Sequence, residues 1–157
     1  MTDTYKIELT TTENHPKRGV AFLISDDTRI TAEKSFHKLN ENNKQFFNSI
    51  FDQWVGGRER PNKKWFHGWD KSQFKGKYTE CFVFKCSIGR KCGHRLYGFL
   101  CKTITNRPGY LLCVLVAYAL KDERETDERD LELTEILRTD QNINKAVADY
   151  FKGKIYE

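Results

Sequence analysis

No apolar run in this chain approaches the ~20 residues that a membrane-spanning helix needs, which argues against such a span. The N-terminus, MTDTYKIELT, has no basic stretch followed by an apolar core, so a secretory signal is not expected and the cytoplasm is the expected compartment. Paired C-x2-C knuckles are missing as well. The five cysteines, Cys81, Cys86, Cys92, Cys101 and Cys113, are odd in number, and four fall in or beside β-prone runs where a small buried thiol is ordinary. A disulfide scaffold is therefore not expected. A metal site would draw on Cys86, Cys92 and His94, with Cys81 as the candidate fourth ligand, but their spacing does not match structural zinc sites, and neither metal nor cofactor is expected.

What the chain has in quantity is charge, unevenly spread. Its 157 residues carry a net charge of +5 and suit one domain able to bury its own core. From Arg58 to Arg95 there are eleven Lys or Arg against three acids, giving +8; from Lys121 to Glu135 three bases face eight acids, giving −5. The basic middle points to a polyanionic partner. Arg58–Lys77, RERPNKKWFHGWDKSQFKGK, also interleaves its cations with aromatics. Two readings stay open for it: a loop whose rings anchor it to the core while its lysines stay solvated, or a surface for single-stranded nucleic acid, with cations on phosphates and rings on unpaired bases. On the second reading the RNA-binding candidates are Lys63, Lys64, Trp65, His67, Lys71, Lys75 and Lys77, with Arg90 and Lys91 from the next loop.

Gly93–Lys121, GHRLYGFLCKTITNRPGYLLCVLVAYALK, reads as two β-prone runs around Asn106-Arg107-Pro108-Gly109, where proline presets φ and glycine accepts positive φ. Tyr78–Cys86 is a third run, joined to the first by a loop with two glycines. Together they predict an antiparallel meander. Pairing about these turns places Lys85 opposite Arg95, and Arg95 within a residue of Lys121. Like charges opposite one another across strands are destabilising, so three cations on one rim call for a counter-charge, a carboxylate or a bound polyanion. Alternation puts Phe82, Phe84, Leu96, Leu100, Val114, Val116, Tyr118 and Leu120 on a bulky face. Lys85, Arg95, Tyr97, Phe99, Ala117, Ala119 and Lys121 then share a smaller, more polar one.

Gly19–Ser25 is a further strand, and spacings of three and four from Phe36 to Trp54 predict an amphipathic helix or a pair broken near Asn40–Asn43, with Thr31 as N-cap. Thr126–Leu137 and a segment through Ile143, Val147 and Phe151, capped by Thr139-Asp140, predict two short C-terminal helices. The expected fold is α+β: a small antiparallel sheet, made of the meander and an N-terminal strand, covered on one face by an N-terminal helix or helical hairpin. Residues 1–17 and 138–157 are read as extensions of a single domain spanning 1–157.

The order strand, helical hairpin, basic loop, meander and short helix resembles the RelE/HigB toxins of the RelE/ParE superfamily. Phe51–Gly57, FDQWVGG, resembles the end of the family's second helix; Lys77–Phe82, KYTECF, its "G-x-hydrophobic-x-Glu" strand opening; Gly93–Tyr97, GHRLY, its "G-x-R-hydrophobic-Tyr" strand. Val114–Lys121 followed by Glu125-Thr126-Asp127 is similar to the HigB-type strand, Lys, Thr-Pro and acidic helix, with Asp127 where Pro is usual. The resemblance spans about Gly19 to Leu137 and implies a ribosome-dependent messenger-RNA endonuclease neutralised by a cognate antitoxin. Such an enzyme works without metal: a base takes the ribose 2′-OH proton, cations stabilise the phosphorane, and an acid protonates the 5′-oxygen. The resemblance assigns Arg95 and Lys121 to charge stabilisation with Lys85 assisting. For the base it leaves His94, His67 and Tyr97, or a lysine or tyrosine with a pKa lowered by nearby cations. A gyrase-inhibiting ParE-like toxin and a non-enzymatic nucleic-acid or protein-binding module are the alternatives.

Overall fold

Sheet and helix separate cleanly in a computed structural model, which describes residues 4–10, 17–56, 65–86, 93–102, 104, 108–121 and 127–152, the side chain of Lys121 excepted. In chain order the elements are β1 (Tyr5–Leu9), β2 (Arg18–Ser25), α1 (Ala32–His37), α2 (Glu41–Val55), β3 (Phe66–Gly68), β4 (Cys81–Cys86), β5 (Gly93–Cys101), β6 (Leu111–Lys121), α3 (Glu128–Arg138) and α4 (Gln141–Phe151). The strands form one six-stranded sheet in the order β1-β2-β6-β5-β4-β3. Strands β2 and β6 run parallel and the other neighbours antiparallel.

This corrects the expected fold. The meander β4-β5-β6 is present, but the sheet is mixed, wider at both edges and covered on both faces. On one face α1 and α2 lay Phe36, Phe47, Ile50, Phe51 and Trp54 over Phe22, Phe82, Phe84, Leu96 and Leu115. On the other, α3 and α4 lay Leu131, Leu137, Ile143, Val147 and Phe151 over Leu23, Val83, Tyr97, Phe99 and Val114. The physical reason lies in strands apolar on both sides: each buried Leu, Val or Phe contributes about 1.5–3 kcal/mol, and a sheet with two apolar faces needs two helical layers. The supposed extensions are therefore structural. Tyr5–Leu9 pairs with Ala21–Ser25, and α4 supplies part of the second core. No helix among the described residues is long and apolar enough to cross a membrane.

Local chemistry fixes the ends. The Thr31 hydroxyl does not cap α1; it accepts from the Tyr118 amide at 3.0 Å, while the Thr31 amide donates to the Val116 carbonyl at 2.9 Å, tying α1 to β6. At α2 the Asn40 side chain caps through the Asn43 amide at 2.8 Å. The Arg18 guanidinium donates to the Trp54 carbonyl at 3.0 Å and lies 5.0 Å from its ring centroid, a cation at the negative end of the helix dipole. Asp127 caps α3 by accepting from the Arg129 amide, and Asp140 caps α4 as expected.

The central register contains a β-bulge. Tyr97 pairs with Ala117 but Gly98 with Leu115, leaving Val116 as the extra residue. It inverts the facing of β6 partway along. Tyr118 stays on the α1–α2 side as expected, whereas Val114 and Val116 turn to the α3–α4 side. Gly98 is required there, because a Cβ on it would stand 2.4 Å from the Val114 carbonyl oxygen.

Candidate functional site

The ends of β4 and β5 place Lys85 directly opposite Arg95, as the sequence predicts. Arg95, however, lies opposite Ala119, and Lys121 opposite Gly93. The hairpin closes a residue earlier than expected and the bulge restores only part of the offset, so Lys121 stands two positions beyond Arg95's neighbour. Lys85 and Arg95 are thus the directly paired cations, and the Lys121 side chain lies outside the described atoms.

That pair sits on the α3–α4 face. The Arg95 side chain is buried at 6% exposure and its Nη1 donates to the Tyr97 hydroxyl at 3.5 Å. Tyr97 is fully buried, with Trp69 stacked 6.3 Å away and His67 edge-on to Trp69 at 4.9 Å. His67 lies opposite Val83, and Val83 opposite Tyr97, so His67-Val83-Tyr97-Ala117 is the cross-strand row next to Lys85-Arg95-Ala119. Lys85 is half-buried, and its pKa is lowered first by desolvation and then by the Arg95 charge. Among the described residues no carboxylate pairs with it.

The remaining cations behave otherwise. A cavity of about 400 Å³ between the end of β5 and the helices α3 and α4 holds Lys102 and Arg138, but these are matched to Glu80, at 3.2 Å, and Glu135. Lys71, Lys75 and Lys77 are fully solvated on a turn where Phe74 and Lys75 adopt left-handed φ of 48° and 57°. They are available to phosphates, though nothing orients them. Lys63, Lys64, Arg90 and Lys91 lie outside the described residues.

The described aromatics of the basic segment support its anchoring. Phe66 and Trp69 are buried, Trp65 meets Phe46 edge-on at 5.9 Å, and Phe74 meets Tyr78 at 5.6 Å. They anchor the segment, while Trp65, His67 and Phe74 stay half-exposed.

His94 belongs to the opposite face, as alternation predicts. Its Nδ1 is 2.7 Å from the Tyr118 hydroxyl and its Nε2 3.3 Å from Asn43 Nδ2, while the Cys86 thiol donates to Asn43 Oδ1 at 3.5 Å. Both ring nitrogens are thus engaged, which removes His94 as a base beside Arg95. Asn43 is the residue that sequence reasoning missed, since an Asn in the first turn of a helix signals only an end. The amide also stands between Cys86 and His94. Cys92 lies outside the described residues, and Cys81, at the far end of β4, points to the Leu131 carbonyl at 3.9 Å. Among the described residues no three His, Cys, Asp or Glu converge as metal ligands.

Burial pushes the thiols up, to about 12 for Cys81 and Cys101, about 11 for Cys86 and well above the usual range for Cys113. At pH 7.5 these four are expected to alkylate at least about tenfold more slowly in the folded chain than in urea. Half-buried Cys101 should react first, as mass-spectrometric mapping of iodoacetamide adducts would read out.

No protein-family model, curated protein or solved structure matches this chain.

Proposed function

We propose that the chain is a toxin that cleaves messenger RNA on the ribosome, with Lys85 and Arg95 as its phosphate-binding and catalytic pair. The observation that carries this reading is a half-buried ammonium set opposite a buried guanidinium, with no carboxylate among the described residues on the ammonium. A fold keeps two like charges adjacent at a cost in stability, and a bound phosphodiester offsets that cost. Support also comes from element order: β2, the α1–α2 hairpin, the basic segment, the meander β4-β5-β6 and α3 follow one another as in the toxin family that the sequence resembles.

In this reading the ribose 2′-oxygen attacks the adjacent phosphorus, the bond to the 5′-oxygen breaks, and a 2′,3′-cyclic phosphate and a 5′-hydroxyl result. Arg95, held by the Tyr97 hydroxyl, stabilises the charge that gathers on the phosphorane oxygens. Lys85 is the accessible partner, and its lowered pKa brings its neutral form closer to working pH, as proton removal from the 2′-OH requires. His67, half-exposed beside Trp69, is the group proposed to return a proton to the leaving oxygen. Lys71, Lys75 and Lys77 hold flanking phosphates. A cytoplasmic location and a protein antitoxin complete the proposal.

Expression in the absence of any antitoxin, followed by mapping of RNA 5′ ends, tests it. Codon-phased cuts with 5′-hydroxyl ends in translated messages are expected. Growth arrest with broken DNA and intact messages would point to gyrase instead, and normal growth would remove the toxin reading.

A further inference from the structure

We propose that His94 is a positioning residue for Arg95: protonation of its ring releases the first residues of β5 and displaces the guanidinium from its place opposite Lys85. The effect on phosphate binding rests on the function proposed above; the coupling between the two residues does not.

The argument begins with the hydrogen-bond directions. Cys86 donates its thiol proton to Asn43 Oδ1, which leaves the Asn43 amide to donate to His94 Nε2; the ring proton then sits on Nδ1 and goes to the Tyr118 hydroxyl. This arrangement holds with a neutral imidazole. A second proton on Nε2 would face the Asn43 amide donor to donor, and turning that amide would exchange the thiol's donation to Oδ1 for an N–H on the Cys86 sulfur, a weak acceptor. Asn43 is 9% exposed and Cys86 fully buried, so neither finds water as a substitute. The protonated ring leaves its place or rests on a weakened chain in which the Asn43 amide donates to sulfur alone.

What the ring holds is the end of the sheet. His94 pairs with Cys86 on one side and Leu120 on the other, and the adjoining pairs are Lys85–Arg95 and Arg95–Ala119. Leu120 is 53% exposed and gives the strand little apolar hold there. Beyond His94 only Gly93 remains in β5, so the ring fixes the β5 terminus from which Arg95 projects to the opposite face.

Among the described residues the groups around the ring add no compensating anion. Strand β4 presents the Cys86 thiol, β6 the Tyr118 phenol, and α2 the Asn43 amide, in a first helical turn whose Glu41 carboxylate lies 3.7 Å from Lys44. The positive end of the α2 dipole also opposes a cation there. Burial lowers the His94 pKa accordingly.

Nuclear magnetic resonance of the whole ¹⁵N-labelled chain tests the coupling without any activity. The Arg95 Nε–Hε signal is expected to inflect at the same pH, below 6.5, as the His94 ring proton. His94→Gln should abolish the inflection, because Gln offers Asn43 an acceptor and Tyr118 a donor and cannot titrate. An Arg95 signal that stays flat through the His94 titration, or an inflection that survives in His94→Gln, would overturn the proposal. If the variant does not fold, coincidence of the two midpoints in the wild-type chain still decides. The second arm uses a non-cleavable 2′-O-methyl RNA oligomer. Adding a positive charge ordinarily strengthens polyanion binding, yet the wild type should bind about threefold or more weakly on acidification through the His94 midpoint, and His94→Gln should not. Coupled signals in a chain that binds no oligomer at any pH would support the coupling and remove the RNA reading.

Discussion

Lys85→Met is expected to raise the melting temperature by about 2 °C and, in the same variant, to lower RNA cleavage about a hundredfold or more. The stabilisation follows from geometry. The Lys85 ammonium is half-buried, faces the Arg95 guanidinium across the β4–β5 ladder and gains no carboxylate among the described residues. Methionine keeps the unbranched stem and removes the like-charge repulsion, worth about 0.5 kcal/mol for a directly opposed pair. Linkage gives a second signature. Because folding lowers the Lys85 pKa, the unfolded chain binds more protons between the lowered value and 10.5, so this side chain makes stability rise with pH across that window. Below the window the charged form is disfavoured in the fold, and Lys85→Met should remove both the disadvantage and the slope. Lys102→Met is the control. Its ammonium is exposed and bridges Glu80, so stability should change by less than about 0.5 kcal/mol and cleavage not at all. Calorimetry from pH 6 to 10 and a cleavage assay read both. Loss of stability in Lys85→Met would mean that the charge is satisfied within the fold, and unimpaired cleavage would remove Lys85 from the site.

The same pair shows how far the sequence could be read. Lys85 opposite Arg95 was legible because a strand, a short loop and a strand leave little freedom in register. The position of Lys121 was not, because the hairpin closes a residue earlier than its Pro-Gly signal suggests. The facing of Val114 was not either, because a bulge depends on which residue of β6 is squeezed out, and nothing in VLVAYAL singles out Val116. The helices α1, α2 and α4 were legible from their periodic apolar residues and, for the last, from its cap. The second helical layer as a whole was not, since strands buried on both faces read as unbroken apolar runs and carry no alternation to say that two sides need cover.

Short edge strands were also hidden. β3 has only Phe66–Gly68, inside a segment dense in lysine, and charge masked the fact that its aromatics point inward. Trp65, Phe66, Trp69 and Phe74 hold the segment down, while Lys71 among them and Lys75 and Lys77 after them stay exposed. His67 lies against Trp69, which in turn stacks on Tyr97, a relation between distant residues that spacing along the chain does not express.

Gly98→Ala is expected to destabilise the chain by about 3 kcal/mol or more, lowering the melting temperature by roughly 10 °C, and to abolish cleavage with it. The added methyl would lie 2.4 Å from the Val114 carbonyl oxygen and 3.1 Å from the Cys113 sulfur, within the central pair of strands. Backbone oxygen cannot swing aside as a side chain can, so β5 and β6 must separate or slip. Slippage is the more damaging course, because a one-residue shift turns every side chain beyond it to the other face. Tyr97 would leave Trp69, and Arg95 would leave Lys85. Gly109→Ala supplies the comparison. Its φ of 79° strains any side chain, but nothing lies within 4 Å, so the cost should be about 1–2 kcal/mol with cleavage retained. Equal losses in the two variants would mean that the strands relax around the added methyl; a larger loss at Gly98, with cleavage gone, would mean that the bulge holds the two cations in register.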